Sequence, residues 1–297
     1  MNIKAYLQLV RIHNVVGAAI GDLMGYLVAS FWNINLIKLV ISIIVVASVA
    51  AGGYVINDVF DVEIDKINKP YRPIPSGQVS IRDATVLAYV LFGVGVVLSA
   101  LLGLLQFVLA LLVAISLYYY AKSIKRTGFY GNLLVATNTA LSIFYGGLAY
   151  FQGEWLIRVI IPTFYSFLLT VSREIVKGIE DVKGDSAHGV KTLAVRLGVT
   201  RAWYIAKLLL VFILIISPIP YLLGFNFLYL IFLSVVWVYI ILTILQSKSI
   251  EGAVKGRSYL KVAAIAGIIT FLIGSFPIQL LHQRFFLILI LLQLPLL

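Results

Sequence analysis

Long apolar stretches separated by short polar ones run the length of the chain. A membrane-spanning helix needs about 20 mainly apolar residues at 1.5 Å rise, and nine stretches are read as spans, near 14–31, 36–55, 84–103, 104–121, 130–150, 157–169, 203–217, 227–245 and 260–281. The apolar run 84–121 would make a helix of about 57 Å if continuous, nearly twice the hydrocarbon thickness, so it predicts two spans that turn near Gly103 and Gln106. The sixth stretch continues through 170–178, which predicts a long helix whose polar end leaves the lipid. Residues 1–11 lack the charged start, apolar run and small-residue cleavage site of a signal peptide, so the first span is expected to be retained. Segment 285–297 is very apolar but short, and predicts an interfacial or bundle-packed piece and not a tenth span.

Composition narrows the class further. With 62% apolar residues, 12% charged and a mean hydropathy of +1.05, the chain cannot be a soluble enzyme, a coiled coil or a disordered segment, and without cysteine it is no disulfide-stapled domain. The predicted fold is an all-α integral membrane protein, a bundle of nine transmembrane helices forming a single membrane-embedded domain over 1–297. The net charge of +11 then becomes a question of sidedness. Nine spans put twenty of the 23 Lys and Arg residues on the side of the N-terminus and leave Lys38, Arg158 and Arg284 opposite. The positive-inside rule therefore predicts a cytoplasmic N-terminus and an outer C-terminus. Phe31, Trp32, Tyr150, Phe151 and Trp155 would belong to the outer aromatic belt.

That rule is nearly indifferent to acids, yet ten of the 12 Asp and Glu residues, all but Asp22 and Glu154, fall on the same side. They are clustered. The second span runs into Asn57, Asp58, Asp61 and Asp65, with the three aspartates at i, i+3 and i+7, so that on a helix they share one face. Stacked carboxylates at a membrane boundary repel one another unless a cation joins them, and hard oxygen ligands favour Mg²⁺ over zinc. The sixth span ends in a second cluster, where Asp181 and Asp185 stand at i, i+4 with Glu174 and Lys177 on the same face. Asp181 follows Asp61 by 120 positions, as Asp185 follows Asp65, which predicts an internal repeat with halves at roughly 1–126 and 127–258 plus the final span 260–281. Solvated helix ends would explain one such cluster; two, with bases between them, point to Mg²⁺ and a polyphosphate. The candidate bases are Arg72, in a loop stiffened by Pro70, Pro73 and Pro75, and Lys122, four residues after Tyr118 at the end of the fourth span. Ordinary topogenic charge accounts for each base equally well when it is taken alone.

Other residues carry less. Asp22 lies inside the first span, where a carboxylate is either functional or hydrogen-bonded to a neighbouring helix. Asn132 and Asn138 read as interhelical hydrogen-bonding residues. His13, His188 and His282 lack metal-ligand spacing. Ser80 and Asp83 form a capping-box-like start to the third span, residues 192–197 predict a short amphipathic helix, and the loops after the two acidic clusters are expected to cover the site.

The set Asn57-Asp58-x-x-Asp61-x-x-x-Asp65, Tyr118-x-x-x-Lys122 and Asp181-x-x-x-Asp185, after the second, fourth and sixth spans, resembles the UbiA superfamily of intramembrane prenyltransferases over nearly the whole chain. Residues 65–77 and 173–181 look most like its archaeal branch, which transfers geranylgeranyl from its diphosphate to the hydroxyl of geranylgeranylglyceryl phosphate and so forms an ether bond of archaeal membrane lipids. The resemblance implies a central cavity with the two aspartate motifs facing each other across its cytoplasmic mouth and a side opening to lipid. It implies Asp58 and Asp61, supported by Asn57 and Asp65, on one Mg²⁺, and Asp181 and Asp185 on a second. Arg72, Lys122 and Tyr118 would contact the diphosphate, Lys177 the acceptor's phosphate, and Asn14 the substrate, although spacing alone favours an N-terminal helix cap for Asn14. No general base is assigned; Glu174 and Asp65 are candidates. Alternatives are a relative acting on an aromatic acceptor of quinone or haem pathways and, from another class, a transporter of an organic anion, which would spread its ionisable groups through the membrane depth. Dispersed basic residues argue against nucleic acid.

Overall fold

A computed structural model describes residues 3–187 and 189–278. His188, the end of the ninth predicted span, His282, Arg284 and segment 285–297 lie outside the described residues. The helices are α1 (Ile3–Leu9), α2 (Ile12–Ser30), α3 (Leu36–Phe60), α4 (Val62–Asn68), α5 (Ile81–Ser99), α6 (Leu104–Lys122), α7 (Phe129–Tyr150), α8 (Trp155–Glu180), α9 (Val182–Ala187), α10 (Leu193–Leu197), α11 (Val199–Ile216), α12 (Ile219–Leu222), α13 (Leu228–Ile244) and α14 (Ile250–Ser275), with a 3-10 turn at Ile124–Thr127 between α6 and α7. Among the described residues eight helical segments are long and apolar enough to cross a membrane. The eighth predicted span, α13, has 17 residues, or about 26 Å, and falls just short of that length. The protein is a multi-pass, all-helical membrane protein.

Local sequence explains the main boundaries. Ser80 opens α5 by accepting a hydrogen bond from Asp83 N–H at 3.0 Å, as its spacing predicts. The predicted break in 84–121 falls at residues 100–103, where Gly103 adopts φ 141° and the buried Gln106 donates to the carbonyl of Leu148 at 2.7 Å. α8 has the predicted length, and Thr192 caps α10 through Val195 N–H. The last span differs: α14 starts at Ile250, ten residues before the apolar run, because Ser249 caps Gly252 N–H at 3.1 Å. Its first turns carry Glu251, Lys255 and Arg257, which an apolar count cannot register, and Arg257 reaches Glu180 of α8 at 3.1 Å.

Two large apolar clusters hold the bundle. One joins α7, α8, α11, α13 and α14 to Met24 and Val28 of α2; the other joins α1, α3, α5 and α6. α2 and α7 seam them through backbone contact. A Cβ on Gly25 would lie 1.8 Å from the carbonyl oxygen of Ile143, and one on Gly146 would lie 1.9 Å from that of Asp22. Only glycine permits that approach, the way small residues commonly let membrane helices pack. Asp22 is fully buried at this seam and accepts a hydrogen bond from Ser42 of α3 at 2.8 Å.

Candidate active site

The two acid-bearing segments share one backbone device. α3 stops at Phe60, Asp61 takes φ −92° and ψ 0°, and α4 begins immediately. α8 stops at Glu180, Asp181 takes φ −87° and ψ 4°, and α9 begins immediately. The helical ladder survives both junctions: Asp61 N–H donates to Asn57 at 3.0 Å and Asp65 N–H to Asp61 at 2.8 Å, while Asp181 N–H donates to Lys177 and Asp185 N–H to Asp181, each at 2.9 Å. Each junction therefore falls on an aspartate of its motif, and the i, i+4 hydrogen bonding that the sequence spacing predicts continues through it.

The first motif sits in a basic cradle. Asp58, only 4% exposed, accepts from Arg11 Nη2 at 2.5 Å and from Arg72 Nη1 at 3.2 Å. Arg72 also binds Asp65 Oδ2 at 2.6 Å, so one guanidinium ties together two carboxylates. Asn57 donates to Asp61 Oδ2 at 2.9 Å, and Lys125 pairs with Asp61 Oδ1. Three carboxylates that would repel are each neutralised by a charge-assisted hydrogen bond. Arg72 reaches them because its loop is pinned: Ile74 and Val79 are buried, and Val79 N–H bonds the carbonyl of Pro73 at 3.0 Å. Arg11 reaches them through an uncommon backbone, left-handed at φ 53° between α1 and α2, with its guanidinium over the Tyr54 ring at 5.4 Å.

The second motif is laid out differently. Glu174 is buried, with Arg173 at 3.6 Å and Lys177 at 3.4 Å. Asp181 is exposed at the end of α8, and Asp185 is half-buried on α9.

Between these helices opens a cavity of about 730 Å³. Arg11, Asn14, Asn57, Arg173, Glu174 and Lys177 line its polar rim, and valines, leucines and aromatic residues line the interior. A smaller recess beside the rim is lined by Arg11, Asp58 and Arg72. Among the predicted site residues, then, Asn14, Asn57 and Lys177 face the cavity, Asp58 and Arg72 face the adjoining recess, and Asp61 and Asp65 lie behind them in the same cradle. Asn14 is in the first turn of α2 and not its cap; the cap position is held by Arg11 without a side-chain bond.

Tyr118 and Lys122 are placed elsewhere. Tyr118 packs edge-on against Phe60 and Tyr119, each at 5.6 Å, and braces the end of α3. Lys122 is exposed. Tyr120, about 200° round the helix from Tyr118, lines the cavity within electrostatic reach of Glu174 and Asp61. The 3-10 turn after α6 then returns the chain so that Lys125 meets Asp61. Sequence reasoning missed Arg11, Tyr120 and Lys125; the only signal for the last was its closeness to the fourth span's polar end.

The donor set suits Mg²⁺. Among the described residues no three acids or imidazoles converge on one point, but Mg²⁺ needs no such cage, since one or two carboxylates plus phosphate oxygens hold it. Asn57 supplies a hard oxygen at the rim, with Asp58 and Asp61 beside it, within a shell of fixed cations that would meet an anion accompanying the metal.

An amphiphile with a multiply charged head and an apolar tail fits such a site, and comparison with known proteins agrees. The profile of the UbiA prenyltransferase family matches residues 18–263. The chain belongs to the UbiA prenyltransferase family. It is a prenyltransferase and not a carrier. Digeranylgeranylglyceryl phosphate synthase of Saccharolobus solfataricus is 61% identical over 278 residues, 93% of this chain and 99% of that one. Its namesake in Methanocaldococcus jannaschii is 35% identical over 277 residues, 92% and 96% of the two chains. A solved structure of a digeranylgeranylglyceryl phosphate synthase superposes with a TM-score of 0.81 at 36% identity, covering 92% of this chain and 98% of that one. A UbiA homolog from Archaeoglobus fulgidus bound to GPP and Mg²⁺ shares the fold, with a TM-score of 0.62 at 18% identity over 90% and 99% of the two chains.

Proposed function

We propose that this UbiA prenyltransferase transfers the geranylgeranyl group of geranylgeranyl diphosphate to the hydroxyl of geranylgeranylglyceryl phosphate, forming an ether bond of archaeal membrane lipids. The observation that carries this reading is that Arg11 and Asn57, which hold Asp58 and Asp61, line one largely apolar cavity together with Glu174 and Lys177. The names of the relatives supply the acceptor. The same reading keeps the nine-span topology, with the N-terminus and the site on the cytoplasmic side.

Asp58 and Asp61, with the Asn57 carbonyl, would hold Mg²⁺ on the first motif, and Asp181 and Asp185 a second ion. Bound there, the metal would offset the charge of the diphosphate as it leaves. The fixed cations do the same from the protein: Arg11, Arg72 and Lys125 surround the anion's position and are already oriented by carboxylates, so little reorganisation is needed as charge develops. When the allylic C–O bond breaks, its electron pair stays on the diphosphate oxygen. The apolar walls exclude the water that would otherwise trap the allylic cation. The acceptor's oxygen forms the new bond and its proton departs. Of the two carboxylates able to take that proton, Glu174 lines the cavity, whereas Asp65 is held by Arg72. Lys177 and Lys261, both at the cavity wall, are placed to meet the acceptor's phosphate.

Purified protein incubated with geranylgeranyl diphosphate, Mg²⁺ and a panel of acceptors, followed by product mass, tests the proposal. The digeranylgeranyl ether is expected, and its formation should cease on chelation and return with Mg²⁺. Product on an aromatic acceptor with none on the glyceryl phosphate would refute it.

A further inference from the structure

The cavity has an arm that ends abruptly. On α3 its lining runs from Asn57 inward to Val45, on α6 from Tyr120 to Ala110 and on α7 to Tyr145, and on these three helices the lining goes no deeper, while on α2 it continues past Gly21 to Met24, which packs toward Ile143 and Val28. Twelve residues from Asn57 to Val45 make a depth of about 18 Å. Tyr145 packs across this layer against Val45, Val46 and Ala110. Just beyond lies a buried polar layer of Asp22, Ser42, Ser99 and Gln106, each at most 4% exposed. One atom there, Asp22 Oδ1, has no hydrogen-bond partner, and the Tyr145 hydroxyl lies within electrostatic reach of it, beside Ser99. Unpaired buried polar groups are costly and call for an explanation.

We propose that Tyr145, backed by this polar layer, is the floor of the arm that receives the donor's isoprenoid, and that it sets the donor length at four isoprene units. The arm is assigned to the donor because α3 lines it continuously from Asn57, whose neighbours hold the diphosphate. The assignment thus rests on the proposed function. The ring of Tyr145 stands between this lining and the polar layer, and a longer tail would have to displace it into a layer where hydrocarbon would strip the remaining hydrogen bond of Asp22 to Ser42. The helix that carries the ring cannot retreat. Gly146 holds α7 in backbone contact with α2 at the next residue, and a Cβ on Gly21 would stand 3.0 Å from Ser142 of α7.

The test compares kcat/KM for farnesyl, geranylgeranyl and geranylfarnesyl diphosphates in the wild type, Tyr145→Ala and Tyr145→Trp. Removing the ring is expected to raise the ratio of geranylfarnesyl to geranylgeranyl transfer at least ~10-fold, the lower end of what an apolar pocket discriminates per methylene. Should Tyr145→Ala fail to fold because of the void it leaves, Tyr145→Trp decides, with an expected fall of similar size in geranylgeranyl relative to farnesyl transfer. Unchanged ratios in active, folded variants would overturn the assignment. A shift in preference for the acceptor's chain length, with the donor ratio fixed, would overturn it too. An inactive wild type would instead refute the functional reading itself, and so the two failures are told apart.

Discussion

Lys122 and Lys125 stand three residues apart, and the structure places them differently. Lys125 is paired with Asp61 and lies 3.5 Å from Asn57 Oδ1, with 17% of its side chain exposed against 18% for Asp61. A charge-assisted hydrogen bond in such a setting contributes about 1.5–3 kcal/mol. If that interaction passes to the diphosphate as the leaving group gathers charge, Lys125→Ala should lower kcat/KM by roughly 10- to 150-fold. Lys122 is exposed, and no hydrogen bond or ion pair ties it to another described residue. Substitutions at such positions stay within about 0.5 kcal/mol, so Lys122→Ala should change kcat/KM by no more than about twofold. The assay is steady-state transfer in detergent or proteoliposomes at saturating Mg²⁺, with the diphosphate varied. A large loss in Lys122→Ala with Lys125→Ala intact would show that the chain after α6 reaches the site in another way, and would restore Tyr118 and Lys122 as the contact pair.

Three further outcomes follow from the same geometry. Gly146→Ala forces a Cβ to within 1.9 Å of the Asp22 carbonyl oxygen, so thermal unfolding in detergent should show a destabilisation of about 1–3 kcal/mol or more; an unchanged midpoint would refute the tight α2–α7 seam. Arg11→Ala and Arg11→Gly should lose similar activity, but the glycine variant should be the more stable by roughly 1 kcal/mol, because only it accepts φ 53° without strain; equal midpoints would argue against a strained Arg11. Asp61→Ala should lower both activity and midpoint, since it leaves Lys125 unpaired, whereas Asp181→Ala should lower activity and leave the midpoint within about 0.5 kcal/mol; comparable destabilisation of the two would contradict the exposed placement of Asp181.

Much of the fold was legible because bilayer thickness sets the length of apolar runs. The break before α6 followed from that length together with Gly103 and Gln106, and the start of α5 from Ser80 and Asp83. The legibility failed where a helix end leaves the lipid. α14 begins in a charged segment, so hydropathy placed its start ten residues late. The site shows the same limit. Asp58, Asp61 and Asp65 were readable by spacing because helical periodicity persists through the Asp61 junction. Lys125 was not, because the helix ends at Lys122 and a 3-10 turn then carries the chain back, which no periodicity describes. Arg11 was masked for another reason. A cation next to a first span satisfies the topogenic rule, and nothing local announces that a non-glycine residue will turn left-handed and aim its side chain at Asp58.

The matched junctions at Asp61 and Asp181 favour descent of both motifs from one repeated unit, since unrelated helix ends have no reason to share a 120-residue offset, near-identical backbone angles and an immediate short helix. Their surroundings have nevertheless diverged. The first aspartates are held by Arg11, Arg72 and Lys125, whereas Asp181 projects into the open. Fixed cations around the first motif keep a ready receptor for an anion, and their pairing with carboxylates prevents three like charges from driving α3, α4 and the Arg72 loop apart. An exposed second motif carries no such constraint. On the proposed function, the paired cations of the first motif would position the leaving group, and the exposure of Asp181 would leave room at the rim for the charged head of the substrate to enter and leave.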